Sequence, residues 1–600
     1  MQREQEQIEK LCERFKDRLG DQFSKNYLCQ RFFPHGTAQE VFRNHKQDLK
    51  RLLQNVSEAL AADETLLARV AEQIRRNLSN VLAIVLMDRA RNDMLVLNQF
   101  LRLLLQRDNR MWETLVLSDF ELPIPRARAE RLFPGKGGAF FSTQFQFYAI
   151  VLQDKKELNC SDNEQILRPL PYLKQKKIGS GGFGQVFKVK IERHHRLSAN
   201  GDSENRDPVV LARKDFQIQN AFEKELEVLR EIMKQPQKHD HLVPLLAILQ
   251  QEATYSLFFP LASCDLDFYF DHAPVPRDLD AKKAIYHRGV ALAGALSFLH
   301  HGLTNMSCYH LDLKPKNVLV YDEGTPDEVW KIADFGLSSV RVNATSQNNG
   351  DSTMATGVPG TYLAPECAVS GGRVSALSDV WSFGCIFSLV LTFMMEGRDG
   401  INRFSKLRGE QPDGDIFYTD RSKPRVSPAV TKWFGHLKEL PSEDPCSKVI
   451  CAALGFLLGK VLRPQRKDRD GASKIETELK EIWTTNSCLE SPLIPNDGRS
   501  VDDLSSIWKR LFSRPSSNSR PTPPPLRVRG SRFSPEGDIL VSYTSSHNLI
   551  REPPHMPRPV VVQIPGDVNY VSVSNNYICN GLEGNCFKVC LLPYDLIFHH

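Results

Sequence analysis

The 600 residues lack paired cysteines, a charge excess, a leader-like start and a membrane-length apolar run, and each lack removes a class of protein. Thirteen cysteines are scattered with no CxxC spacing, which suits free thiols in a reducing compartment rather than a disulfide-stapled secreted chain. Cys579, Cys586 and Cys590 cluster near the end, but without a placed fourth ligand they read as structural cysteines on strands rather than a metal site. A net charge of +5 over this length is too small to point to a nucleic-acid partner. The first ten residues, MQREQEQIEK, are polar and charged, so no secretory leader is expected there. The longest apolar run, Trp381 to Met395, is shorter than a bilayer span and is interrupted by Ser382, Gly384 and Ser388. It is expected to be a buried helix, and the chain to be soluble and cytoplasmic, with the nucleus left open.

What is present divides by texture. Length alone implies two to four domains. Residues 1–135 place apolar side chains at helical spacing among Arg, Lys and Glu, as in Val56, Leu60, Leu66, Leu67, Val70 and then Leu78, Val81, Leu82, Leu86. That period predicts a bundle of amphipathic helices, regulatory or merely structural. From Ala139 the run FFSTQFQFYAIVL is aromatic and β-branched and predicts one or two strands at the edge of a following sheet. A mixed segment extends over 136–486, with its core at 171–484. Residues 487–528 form a Ser/Pro-rich linker, exemplified by RPSSNSRPTPPP from Arg514 to Pro525. Residues 529–600 alternate strand-like runs with turn signals.

The chemistry concentrates in the middle. HLDLKPKNVLV, His310 to Val320, sets Asp312, Lys314 and Asn317 on a tight loop, and Asp334-Phe335-Gly336 follows a short apolar strand. Phosphoryl transfer uses such parts: a carboxylate to orient a hydroxyl, a cation near the γ-phosphate and oxygen ligands for Mg²⁺. Upstream, Gly179, Gly181, Gly184 and Val186 form G-x-G-x-x-G-x-V. Glycines there let backbone amides approach phosphates. A dinucleotide turn would be followed by a helix, whereas Val186–Lys190 alternates like a strand, so a hairpin lid is predicted. Lys214 ends the apolar strand VVLARK and needs a counter-charge. Glu225 is the expected partner, because Phe222, Leu226 and Leu229 give the next helix its inward face beside it.

These runs, with Ala364-Pro365-Glu366 and Asp379-Val380-Trp381-Ser382-Phe383-Gly384, resemble the catalytic core of the eukaryotic protein kinases. The resemblance implies an α+β, two-lobed kinase fold between an N-terminal helical region and a small β-rich C-terminal segment. It implies ATP and Mg²⁺, with Lys214 on the α- and β-phosphates, Asp312 as base, Lys314 at the γ-phosphate, and Asn317 and Asp334 as metal ligands. Ala212, Val186 and Leu319 would sandwich adenine. Phe258 would close the back of the cavity, and a hinge over Phe259–Ala262 would present the Leu261 N–H, since Pro260 has none. Asp379 would anchor the catalytic loop and Arg469 would pair with Glu366. Lys at 314 is the serine/threonine pattern. The helical front, the QFQF run and VLARKDF are similar to fungal cytosolic kinases with terminal extensions. RFSPEGDILVSY resembles the strand-turn-strand of a WD-repeat blade, and VSNNYICNGLEGNCFKVCLL could belong to a second, too little for a closed propeller.

Two positions depart from the family pattern. Leu311 replaces the Arg that grips an activation-loop phosphate, and Pro359 stands where a Thr bridges the catalytic Asp and Lys, with Thr361 two residues on. Lys316 stands where kinases of basic substrates carry Glu. The reading is a serine/threonine protein kinase acting on protein substrates, with further protein partners through the N-terminal helices and the C-terminal β segment, and no nucleic acid or membrane span. The alternatives are a nucleotide-binding pseudokinase scaffold and a small-molecule phosphotransferase, the latter disfavoured by Ala364-Pro365-Glu366 and the long loop before it.

Overall fold

A computed structural model describes residues 2–58, 64–87, 100, 117–160, 165–181, 184–201, 207–236, 238–304, 306–342, 360–369, 372–419, 423–440 and 444–487, and in the tail 571–574, 577–580, 586–591 and 596–598. The chain divides into two compact units, 1–494 and 495–600.

The first unit opens with helices α1 (Gln2–Gly20), α2 (Thr37–Asn44), α3 (Lys46–Glu58), α4 (Glu64–Asn77), α5 (Ser79–Met87), α6 (Arg126–Leu132) and α7 (Gly137–Phe147). Their inward residues, among them Phe15, Phe42, Leu52, Val70, Leu82 and Phe140, form one apolar cluster. The strand expected from Ala139 is therefore corrected: FFSTQFQF is the body of α7, and only Leu152–Gln153 beyond it is extended. Tertiary contacts override β-propensity here. Phe140 stacks on Phe133 at 4.7 Å and Phe147 on Phe33 at 4.1 Å. The buried Gln144 amide accepts from the Ile124 N–H and donates to the Ile124 carbonyl, both at 2.9 Å. Residues 137–147 thus pack with the helical region rather than with the domain expected to start at 136.

The next layer is a six-stranded sheet of β1 (Glu157–Cys160), β2 (Tyr172–Gly181), β3 (Gly184–Ile191), β4 (Val209–Phe216), β5 (Ala247–Gln251) and β6 (Thr254–Pro260), in the order β1-β5-β6-β4-β3-β2. Only the β1–β5 pair is parallel. Helix α8 (Gln219–Lys234) packs across it with Phe222, Leu226, Val228 and Leu229 buried, the face its sequence period predicts. The helical region joins this lobe along β2. The Tyr27 N–H donates to the Tyr172 carbonyl at 2.8 Å and Asn26 Nδ2 to the Leu170 carbonyl at 3.1 Å. His195, fully buried between the two, accepts the His35 N–H on Nε2 at 3.0 Å, which leaves Nδ1 to donate to the Ile150 carbonyl at 2.8 Å.

The larger lobe is helical, with α9 (Leu266–His272), α10 (Leu279–Ser297) and α11 (Ala376–Gly409) and, on its upper surface, β7 (Met306–Tyr309), β8 (Val318–Tyr321), β9 (Val329–Ile332) and β10 (Ser339–Val342). The apolar run of α11 is long enough to cross a membrane by composition, but 94% of that window is buried inside the lobe. Gly397 breaks α11 with φ 59, and a Cβ there would stand 2.2 Å from Val275 Cγ2. Helices Pro428–Lys438, Ser447–Phe456 and Ala472–Asn486 complete the same core through Trp433, Leu454 and Trp483. In the second unit the described residues form four strands, β11 (Val571–Ser574), β12 (Tyr577–Asn580), β13 (Cys586–Leu591) and β14 (Leu596–Phe598), paired antiparallel in sequence order. The RFSPEGDILVSY run lies outside the described residues.

Candidate active site

A cavity of about 890 Å³ opens between the sheet and the helical lobe. Its roof carries Val186, Ala212 and Lys214, its floor Leu319, Asn317 and Asp334, and its inner wall Phe259 and Leu229. The strand alternation explains the roof: Val186 lies opposite Lys214 and Lys188 opposite Ala212, so all four share one face. The β2–β3 hairpin carries Gly179, Gly181 and Gly184 above it, with Gly181 opposite Gly184. A Cβ on Gly184 would meet the Asp215 carbonyl at 2.3 Å, so a side chain is excluded there. Residues 182 and 183 at the tip lie outside the described residues.

The same alternation corrects the back wall. Phe259 lies opposite Ala212 and Leu257 opposite Lys214, which turns them toward the cavity and turns Phe258 away. Phe258 is fully buried on the other side with Tyr172, Val189 and Leu211. Phe259, expected in the hinge, is therefore the bulky residue at the back. Leu261 lines the cavity as expected, and Ala262 and Ser263 continue the hinge. The Pro260 carbonyl accepts from the Tyr321 hydroxyl at 3.2 Å.

Lys214 Nζ sits between Glu225 at 2.6 Å and Asp334 at 2.8 Å. Burial pulls the ammonium toward neutrality, but the two carboxylates outweigh it and hold its pKa above the usual lysine value. Burial likewise pushes Asp334 up, and Lys214 more than compensates, keeping it below the ordinary carboxylate range. Glu225, almost wholly enclosed with one counter-charge, is pushed up by burial. The Phe335 ring packs against His310 at 5.4 Å, which leaves Asp334 turned toward Lys214.

The catalytic loop hangs from a buried carboxylate. Asp379 accepts the His310 N–H on Oδ2 and the Leu311 N–H on Oδ1, both at 2.8 Å, and His300 Nε2 lies 2.9 Å from Oδ2. Leu311 takes a left-handed backbone, φ 61, and Asp334 does so too, φ 67. Such strain persists only where surroundings hold it. Lys314 Nζ donates to Asp312 Oδ2 at 2.7 Å. Asn317 Nδ2 donates to the Asp312 carbonyl at 2.8 Å and to its Oδ2 at 3.0 Å. Both amide hydrogens are thereby engaged, which leaves Oδ1 as the atom that could ligate a metal.

Among the described residues no three His, Cys, Asp or Glu form a metal cage. The Asn317 and Asp334 oxygens suit Mg²⁺, which keeps waters and takes substrate phosphates for most of its octahedral shell. Arg469 forks onto Glu366 at 2.7 and 2.8 Å, as the sequence predicts. Leu311 packs on the main core as a partly buried apolar side chain. Pro359 lies outside the described residues, as do residues 343–358. Sequence reasoning did not single out His195, nor Arg213, whose guanidinium grips Asp215 at 2.7 and 2.6 Å on the far side of the strand that carries Lys214. Sharing alternate positions with Leu211 was the available signal for Arg213.

Residues 172–414 match the model of the protein kinase domain. The G-type lectin S-receptor-like serine/threonine-protein kinase RKS1 of Arabidopsis thaliana is 29% identical over 220 residues, which is 36% of this chain and 23% of that relative. The chain thus spans less than a quarter of the length of the relative it matches. Lobes, site geometry and family match agree that residues 172–414 form a protein kinase domain.

Proposed function

We propose that this chain is a serine/threonine protein kinase that transfers the γ-phosphate of ATP to hydroxyls of protein substrates. One observation carries the reading: Lys214 is held between Glu225 and Asp334 while Asp312 is flanked by Lys314 and Asn317, so the charged groups phosphoryl transfer needs are assembled together. Asp312 accepts hydrogen bonds on Oδ2 and orients the incoming hydroxyl with the rest of its carboxylate. Lys214 and Lys314 supply fixed positive charge where phosphate oxygens would lie. Mg²⁺, held by Asn317 and Asp334 when bound, offsets the charge of the phosphate oxygens. Leu319, Val186 and Ala212 present apolar surface for a base.

The scaffold reading draws on Leu311 and Pro359. Against it, the residues expected to bind nucleotide and metal are all retained in the sequence, and Leu311 is held in place without an ionic partner. Incubation of the full chain with labelled ATP, Mg²⁺ and generic protein substrates, followed by phosphoamino-acid analysis, tests the proposal. Phosphoserine and phosphothreonine are expected; Mg²⁺-dependent nucleotide binding with no transfer supports the scaffold instead.

A further inference from the structure

Strand pairing sets four lysines in a square on the cleft-facing side of the sheet. Lys174 of β2 lies opposite Lys190 of β3, and Lys176 opposite Lys188. Lys188 is in turn opposite Ala212, which lines the nucleotide cavity, and all four lysines line the same cavity. Alternate residues of one strand stand about 6–7 Å apart, and directly opposed residues about 5 Å. Like charges placed directly opposite weaken a sheet, and here two such pairs are stacked. Neighbouring cations are answered: Arg196 by Asp154, Arg213 by Asp215 and Lys214 by Glu225. Lys174, Lys176 and Lys188 are exposed, Lys190 is half-buried, and none of the four pairs with an acid among the described residues. Lys316 reaches the cavity from the catalytic loop, with Asp267 at 3.9 Å.

We propose that this lysine square docks an acidic, extended segment of a protein substrate. The proposal rests on the kinase reading, because it names the charge class of that kinase's substrate. An extended peptide with acids at alternate positions presents them on one face at about 6–7 Å, the spacing of Lys174 and Lys176. A flat membrane cannot reach an inward sheet face at a cleft mouth. A nucleic-acid backbone calls for cations along a longer track, and the net charge of +5 supplies little long-range attraction for one.

The test measures binding separately from turnover. In the full chain carrying Asp312→Asn, fluorescence anisotropy follows a labelled peptide with Glu at alternate positions and its Gln counterpart. The variants replace all four of Lys174, Lys176, Lys188 and Lys190 by Gln, or all four by Arg. The Gln set should weaken the acidic peptide about tenfold or more, while the Arg set stays within about threefold and the Gln peptide is indifferent to both. Melting of the Gln set no lower than the parent shows that the fold is kept. Equal binding by parent and Gln set overturns the proposal, as does lysine-dependent capture of single-stranded RNA or anionic vesicles without the peptide. Lysine-dependent peptide binding in a chain whose Asp312 form transfers no phosphate overturns the kinase reading alone.

Discussion

Replacing Asp379 by Asn asks how much one buried carboxylate contributes to holding the catalytic loop. Asp379 is 1% exposed, and its two oxygens accept the consecutive N–H groups of His310 and Leu311 at 2.8 Å. Asn keeps the size but replaces one oxygen by NH₂. Whichever way the amide turns, that NH₂ faces a backbone N–H, of His310 or of Leu311. An orphaned buried donor costs about 1–3 kcal/mol, and loss of charge assistance at the remaining bond about 1 kcal/mol more. The sum is about 2–4 kcal/mol, which in a domain of this size lowers Tm by roughly 5 °C or more. Leu311, at φ 61, occupies a backbone region that disfavours a leucine by about 1–2 kcal/mol. Freed from Asp379 it relaxes, and Asp312 moves with it. Scanning calorimetry should therefore show the lower Tm, and steady-state kinetics should show kcat down about tenfold or more with KM for ATP little changed. A Tm within 1–2 °C of wild type together with unchanged kcat would refute the reasoning, since such a shift corresponds to less than about 1 kcal/mol.

Asp334→Asn removes the proposed metal ligand and one of the two counter-charges of Lys214, so calorimetric titration should show Mg²⁺-dependent nucleotide affinity falling about tenfold or more, and equal affinity would remove Asp334 from the metal. Basal activity should be independent of loop phosphorylation: Leu311 offers no donor, and the start of the segment is already tied down by β10 pairing with β7. Of the loop hydroxyls Ser338, Ser339, Thr345, Ser346, Ser352, Thr353 and Thr356, Ser339 is buried in that pairing; alanine at all seven, or phosphatase treatment, should leave activity within about twofold. Collapse in both experiments would assign the missing arginine's role to another base, such as Arg341 or Arg373. The His195 imidazole is pushed down to about 3 by burial, with His35 and His194 adding repulsion. The unfolded chain takes up that proton near pH 6.5, so the contribution is complete above pH 6.5 and drains as pH falls toward 3. The stability gap between wild type and His195→Gln should narrow from pH 7 to pH 5 in urea titrations, and a constant gap would contradict the assignment.

The catalytic loop was legible because its contacts are local: Asp312, Lys314 and Asn317 lie within six residues and bond to one another, although Asp379 from a distant helix holds the loop that carries them. Glu225 was legible from helical period, since the inward residues of α8 fix which of Glu223, Glu225 and Glu227 turns in. The errors came where distant packing decides. Nothing local in FFSTQFQF reveals that Phe33 and Phe133 will stack on it, and its β-branched and aromatic content argues for a strand. Phe258 and Phe259 are adjacent and identical, so only the register against Ala212 tells which one enters the cavity. His195 sits in a polar insertion whose partner is more than a hundred residues earlier, beyond the reach of any pattern.

The most direct test of the central claim is single-turnover transfer of labelled γ-phosphate to a protein substrate by wild type and Asp312→Asn, side by side, with nucleotide binding measured on both. The account predicts measurable transfer by wild type, a loss of roughly 10²–10⁴-fold on removing the carboxylate, and unchanged nucleotide affinity. Wild-type transfer no faster than that of Asp312→Asn would contradict it.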